Sequence, residues 1–216
     1  MRVSRPGRRA RPSRPPWGAR REVWGRARFA SLDFETTGLD YERDEIVSFG
    51  VVPVRDGRVI VGEAVHQLVR PAVPASASSM TVHEILPRDL AGAPPISRAR
   101  EALRRALHEQ YVLAWFAEVE IAFLARTFGG SERSWARRTV DVRQIALSLE
   151  GRDQGTRHTL SATAARYRIP VSSPHEALDD AMVAAQLFLV LASRMEREGR
   201  GRVEDFLALT RTRRTG

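Results

Sequence analysis

Residues 28–38 read Arg28-Phe29-Ala30-Ser31-Leu32-Asp33-Phe34-Glu35-Thr36-Thr37-Gly38. Phe29, Leu32 and Phe34 among short residues predict a strand over Arg28 to Glu35, and Thr36-Thr37-Gly38 turns the chain at its end. Side chains alternate across a strand with a period of two, so Asp33 and Glu35 share one face and Leu32 and Phe34 the other. Two carboxylates side by side near a strand end repel each other unless a cation sits between them. One such pair, taken alone, is also what an exposed acidic strand end looks like.

The surrounding pattern sets the strand in an α/β frame. Glu45 to Val54 is an apolar strand, Asp56-Gly57 is a hairpin signal, and Arg58 to Val69 alternates as a third strand, which makes an antiparallel meander. Residues 71–95 are rich in Pro, Ala and Ser and read as loops, with a short helical piece near Val82 to Leu86. Ile96 to Gln110 is amphipathic, with Ala99, Leu103, Ala106 and Leu107 at helical spacing. Tyr111 to Phe116 is a short apolar strand, and Glu118 to Phe128 is a helix closed by Gly129-Gly130. Thr139 to Val142 predicts another strand, running into a helix through Leu149, and Leu160 to Tyr167 a further helix. Ser173-Pro174-His175-Glu176 has the form of a capping box with Pro at the first helical position, before a helix to about Glu198. Three antiparallel strands followed by alternating helices and strands imply an α/β fold, one mixed sheet flanked by helices. There is no internal repeat.

Composition bounds the chemistry. The 216 residues suit one domain plus extensions at roughly 150 residues per domain. There is no cysteine, which removes disulfides and thiolate metal sites, so any metal must be held by Asp, Glu and His. Oxygen-rich ligands point to Mg or Mn rather than to structural zinc. The formal charge is +9, and residues 1–28 carry ten arginines against one acid, Glu22, an excess equal to that of the whole chain. The positive charge therefore belongs to an arm and not to the body. Rich in Arg, Pro, Ser and Gly, residues 1–26 are expected to be a disordered tail, either solubilising or drawn nonspecifically to phosphate. The globular domain is expected over residues 27–198, with a tail over 199–216 in which Val203 to Leu209 either packs on the body or meets a partner helix. No apolar run is long enough for a membrane helix and no secretory signal is evident, so a cytoplasmic protein without membrane contact is expected.

Two more acids stand where apolar residues are expected. Glu120 shares its helical stripe with Phe123, Leu124, Thr127 and Phe128. Asp180 sits among Ala177, Val183, Ala184 and Leu187, while Asp179 faces away. An unpaired carboxylate facing a core costs several kcal/mol or shifts its pKa, although at a helix start it also suits the dipole. His175 lies five residues before Asp180, about 140° away on an ideal helix, so the two share a cleft only if His175 precedes a regular first turn. One divalent-cation site would account for all four acids together.

Asp33-Phe34-Glu35-Thr36-Thr37-Gly38 resembles the first motif of the DEDD 3′–5′ exonucleases, most closely the group containing the proofreading epsilon subunit of bacterial replicative polymerase. His175-Glu176-Ala177-Leu178-Asp179-Asp180 is similar to their third motif, in the His-containing branch. Leu113 to Leu124 aligns with the second motif, with Glu120 where the family usually has Asp and Trp115-Phe116 where it usually has His-Asn. Glu118 is a poorer substitute, about 200° around the helix from Glu120. Val140-Asp141 and Thr159-Leu160, each before a helix, also resemble the family layout.

The resemblance implies a ribonuclease-H-like fold and two divalent cations, Mg or Mn. It implies that Asp33, Glu35 and Asp180 hold one metal, that Asp33 bridges to the second with Glu120 helping through water, and that His175 takes a proton from the attacking water. Thr36, Thr37 and Gly38 would contact the terminal nucleotide, and Leu39 or Met80 would stack on its base. The expected substrate is a nucleic acid with a free 3′ end, DNA favoured over RNA because of the Thr-Thr-Gly form of the first motif, with a polymerase as a possible partner. An exoribonuclease is the alternative enzyme. A non-catalytic nucleic-acid-binding module with a decayed second motif is the alternative of another class.

Overall fold

The computed structural model describes residues 21–151 and 158–211. Six strands form one mixed sheet, β1 Phe29–Thr36, β2 Ile46–Arg55, β3 Arg58–Val59, β4 Val65–Leu68, β5 Tyr111–Ala114 and β6 Thr139–Asp141. Their order is β3-β2-β1-β5-β6, and β4 also pairs with β2. β1 to β4 are antiparallel neighbours, whereas β5 and β6 run parallel to β1. Asp56 (φ 51°) and Gly57 (φ 66°) make the tight hairpin turn between β2 and β3.

Helices cover both faces. The period of two sends Ala30, Leu32 and Phe34 to one side, where they pack with Leu103 of α3 (Ile96–Ala106) and with Phe123 and Leu124 of α4 (Ala117–Phe128). Phe29 faces the other side, its ring 4.8 Å from that of Phe188 in α8 (Ala177–Arg197). α6 (Val142–Glu150) and α7 (Leu160–Arg166) join α8 there. The remaining helices are the short α1 (Ala77–His83), α2 (Pro87–Leu90) and α5 (Glu132–Ala136), and α9 (Val203–Arg211) near the C-terminus.

Several expectations are corrected. The strand foreseen over Arg58 to Val69 is broken by a 3-10 turn at Val61–Glu63, where Val61 is exposed and Glu63 takes a two-pronged ion pair from Arg55 (2.9 and 2.5 Å). The helix foreseen near Val82 to Leu86 is instead two helices. Ser76 starts α1 by accepting from Ser79 N–H (3.1 Å), and Glu84, at φ 58°, ends it before Pro87. α3 stops at Ala106, whose carbonyl accepts from Gln110 Nε2 (2.6 Å). The capping box at Ser173 to Glu176 does not form: α8 begins at Ala177 without a side-chain cap, and Asp179 instead accepts from Ser172 and Ser173 N–H (2.9 and 2.5 Å).

The core extends past both foreseen boundaries. Trp24 stands edge-on to Phe188, with centroids 5.9 Å apart, and donates to Glu196 (3.0 Å). Val203, Phe206 and Leu207 of α9 are buried, and Asp141 N–H donates to Thr210 Oγ1 (2.9 Å). The segment set aside from residue 199 thus supplies a helix to the core. The disorder foreseen for residues 1–20 lies outside the described residues. No described helix is long and apolar enough to cross a membrane.

Candidate active site

Asp33 and Glu35 point from β1 toward α8, and Asp180 comes down from the first turn of that helix. One ligand oxygen from each lies within 4.8 Å of the others. The approach depends on a glycine. Gly50 of β2 is paired in register with Asp33. A Cβ at Gly50 would stand 2.3 Å from the carbonyl oxygen of Ala177 and 2.4 Å from Leu178 Cα, so any side chain there would lift the start of α8. Alanines 177, 181, 184 and 185 line the buried face of α8 and keep it close to the sheet.

His175 precedes the helix, in the left-handed region at φ 64°. That frees it from the 140° separation a continuous helix would impose. Its backbone N–H donates to Asp180 Oδ2 (3.2 Å), and its exposed side chain lines the cleft above the acids.

The electrostatics are those of anions lacking a counter-charge. Burial raises the Asp33 pKa well above the carboxylate range, and Glu120, Glu35 and Asp180 add to the rise. Burial and then Asp180 push Glu35 up to about 8. Asp180 is raised by burial, against the opposing hydrogen bond from His175. Glu120, 4% exposed, is pushed up to about 8 by burial, with Asp141 and Glu35 contributing against a backbone hydrogen bond. Glu120 Oε2 and Asp180 Oδ1 are buried without a hydrogen-bond partner among the described residues. Buried polar atoms are normally satisfied. An all-oxygen donor set with two orphaned oxygens therefore fits hard divalent cations. Glu120 stands outside the tight trio, yet its charge is felt at Asp33.

A cleft of about 1000 Å³ opens over these acids. Thr36, Thr37, Gly38 and Leu39 line it at the end of β1. The threonine hydroxyls are committed within the loop: Thr36 Oγ1 donates to Gly38 O and Thr37 Oγ1 to Asp44, each at 2.7 Å. A Cβ at Gly38 would meet the Asp44 carboxylate at 2.4 Å. Leu39 is 77% exposed at the cleft. Met80 is not among the lining residues; Val82, 49% exposed on the same helix, is.

Reading the sequence missed Asp44, Ser79 and His83. His83 Nδ1 accepts from Ile85 N–H (3.0 Å), which leaves Nε2–H to donate to Ser79 Oγ (2.9 Å), and Ser79 in turn donates to the Thr36 carbonyl. This relay ties α1 to the end of β1. Burial lowers the His83 pKa, in keeping with a neutral ring. Asp141, noted only as part of the layout, caps α6 by accepting from Gln144 N–H (3.0 Å), and its charge reaches Glu120.

Residues 31–188 match the RNase_T family, described as Exonuclease. The chain belongs to this exonuclease family. It is 30% identical over 174 residues to a DNA polymerase III subunit epsilon-like protein of Rhodobacter capsulatus, covering 79% of this chain and 24% of that one. It is 29% identical over 177 residues to a PolC-type DNA polymerase III of Thermotoga petrophila, covering 80% and 12%. The chain thus spans between an eighth and a quarter of these relatives' length. Solved structures share the fold. Exonuclease X in complex with 5′ overhanging duplex DNA superposes with a TM-score of 0.65 at 23% identity, covering 84% of this chain and 99% of that chain. The nuclease domain of 3′hExo, a DEDDh family member bound to rAMP, gives 0.66 at 16%, covering 84% and 97%. The exonuclease domain accordingly has the ribonuclease-H-like fold that these solved structures share.

Proposed function

We propose that this domain is a 3′–5′ exonuclease that hydrolyses the terminal phosphodiester of DNA and releases 5′-mononucleotides. The observation that carries the reading is the trio Asp33, Glu35 and Asp180, its oxygens within 4.8 Å at the floor of an open cleft. These three residues would hold divalent cations, Mg or Mn, with Glu120 beside Asp33. When bound, such ions supply charge stabilisation at the phosphoryl oxygens and a more acidic water. His175, exposed at the rim and itself in the left-handed region before α8, accepts the proton of the attacking water. Leu39 and Val82 offer apolar surface to the terminal base, and the loop at Thr36 to Gly38 brings backbone close to its sugar.

DNA is favoured because the relatives include DNA polymerase III chains. A polymerase partner is proposed on the same ground. RNA is the second reading, supported by the DEDDh domain bound to rAMP. The test is turnover of 5′-labelled single-stranded DNA and RNA of one sequence with Mg, Mn or a chelator, beside Asp33→Ala. A metal-dependent ladder from the 3′ end, absent in the variant, is expected, faster on DNA. Faster shortening of RNA would move the assignment to the exoribonuclease. No shortening of either strand with either metal would leave a binding module.

A further inference from the structure

The far wall of the cleft is built differently from its floor. The Thr36–Leu39 end is closed by α1, which is tied down by Ser79 Oγ donating to Thr36 O and by Ser76 N–H donating to Thr37 O (3.0 Å). The sheet order places β5 and β6 on the opposite side of β1, so the cleft continues over their C-terminal ends. Trp115 and Phe116 follow β5 there, and Arg143 lies in the first turn of α6 after β6. Among the described residues, Arg143 is the only arginine lining a cleft that also presents Asp33, Glu35, Asp44, Glu120 and Asp180. It is held in place: Nε donates to His158 O (3.1 Å), and its guanidinium lies over the Phe116 ring, 5.6 Å from the centroid. Its two terminal nitrogens have no partner among the described residues.

We propose that Arg143, backed by Phe116, forms a subsite for the nucleotide on the 5′ side of the scissile bond, with the guanidinium taking that nucleotide's phosphate. The inference rests on the exonuclease reading above and deepens it. A polyanion threaded past five carboxylates needs positive charge beyond the cation site. With the terminal nucleotide at the Leu39 and Val82 end, beside α1, the rest of the strand would leave over β5 and β6. A guanidinium fixed by one hydrogen bond and one aromatic face is already oriented, so little side-chain freedom is lost when its remaining donors meet a phosphate. In this chain the aromatic pair Trp115-Phe116 brings no hydrogen-bonding ring or amide at Phe116, and the arginine of the next element supplies the polar contact.

The test compares wild type, Arg143→Met and Arg143→Lys on two substrates, a single-stranded oligonucleotide and the p-nitrophenyl ester of thymidine 5′-monophosphate, which has no upstream nucleotide. For Arg143→Met on the oligonucleotide we expect KM to rise about tenfold with kcat within about twofold. The same variant should leave the ester's KM near the wild-type value. Oligonucleotide binding, followed by fluorescence anisotropy with Ca²⁺, should lose about 0.7 from its log–log salt slope, the share of one phosphate contact on a single strand. Arg143→Lys should recover that slope. Equal losses on ester and oligonucleotide, or an unchanged salt slope in Arg143→Met, would overturn the subsite. A wild type that hydrolyses neither substrate would overturn the exonuclease reading instead, and the salt slopes would still decide the subsite. Unfolding midpoints of the three proteins identify any loss due to misfolding.

Discussion

By the resemblance Glu120 stands where the exonucleases usually have Asp, and its surroundings are unfavourable to a charge. It is 4% exposed, one of its oxygens has no hydrogen-bond partner among the described residues, and burial with Asp141 and Glu35 nearby pushes its pKa up to about 8. Without a cation it is a strained group, since a buried anion among anions gains nothing from the fold. Glu120→Gln keeps the shape and removes the charge. We expect the metal-free variant to melt higher than wild type at pH 8.5, by a few degrees, while metal-dependent turnover falls at least tenfold. Differential scanning fluorimetry in EDTA and the labelled-strand assay check the two halves. A variant that melts lower in EDTA at that pH would show Glu120 to be stabilising rather than held for function. The position was legible in the sequence as an acid on an apolar stripe. Its distance from the other three was not, because that distance depends on how far α4 sits from β1. Thr37, expected to contact the terminal nucleotide, lines the cleft, and only the fold shows that its hydroxyl is committed to Asp44 at 2.7 Å.

Between elements, the decisive contact is β2 against the start of α8. A glycine inside a strand generally weakens it and often marks a close backbone approach. In the structure Gly50 is the place where a helix backbone rests on a sheet backbone, opposite Asp33. Gly50→Ala must displace Ala177 and Leu178, and with them Asp180. Displacements of about 1 Å at a reacting centre can cost ~100-fold in rate. We expect at least that loss of turnover and weaker Mn binding by calorimetry, with the circular dichroism spectrum retained; wild-type Mn affinity in a folded variant would contradict this role for Gly50. The strands and helices were readable because their periodicities are local. The breaks at Val61 and Glu84 were less so, since each reflects a tie to another segment or a left-handed residue. α9 was left open between packing on the body and meeting a partner helix because three buried residues, Val203, Phe206 and Leu207, make too short a stripe to decide. Phe206→Ala tests its place in the core: we expect a loss of about 3–5 kcal/mol in urea unfolding, the usual cost of removing a fully buried phenylalanine. A change under about 0.5 kcal/mol, typical of a surface position, would return α9 to the status of a tail.

For the molecule as a whole, a metal-binding floor that is unfavourable when empty couples stability to pH and to cations. Asp33, Glu35, Glu120 and Asp180 all have folded-state pKa values raised above their ordinary ones, Glu35 and Glu120 to about 8. The unfolded chain releases these protons near pH 4 to 4.5, whereas the folded protein keeps them to higher pH. Between those limits the native state binds more protons than the unfolded state, so stability falls as pH rises. The contribution is fully present below the unfolded pKa values and is lost as pH passes through about 8. A cation held by Asp33, Glu35 and Asp180, beside Glu120, would stabilise the ionised carboxylates and add its own binding free energy to the native state, by an amount that grows with its concentration. The melting temperature in EDTA should therefore decline from pH 5.5 to pH 8.5, and Mn or Mg should raise it far more at pH 8.5 than at pH 5.5, where the cation must displace protons to bind. Melting curves at the two pH values, with and without metal, give the four numbers required. A metal-free protein equally stable at both, or a cation effect larger at pH 5.5, would mean that the carboxylates do not hold their protons in the fold. The low-pH stability would then have to come from elsewhere, because the ion pairs among the described residues are mainly exposed and give up their contribution, rather than gain it, as acid protonates them.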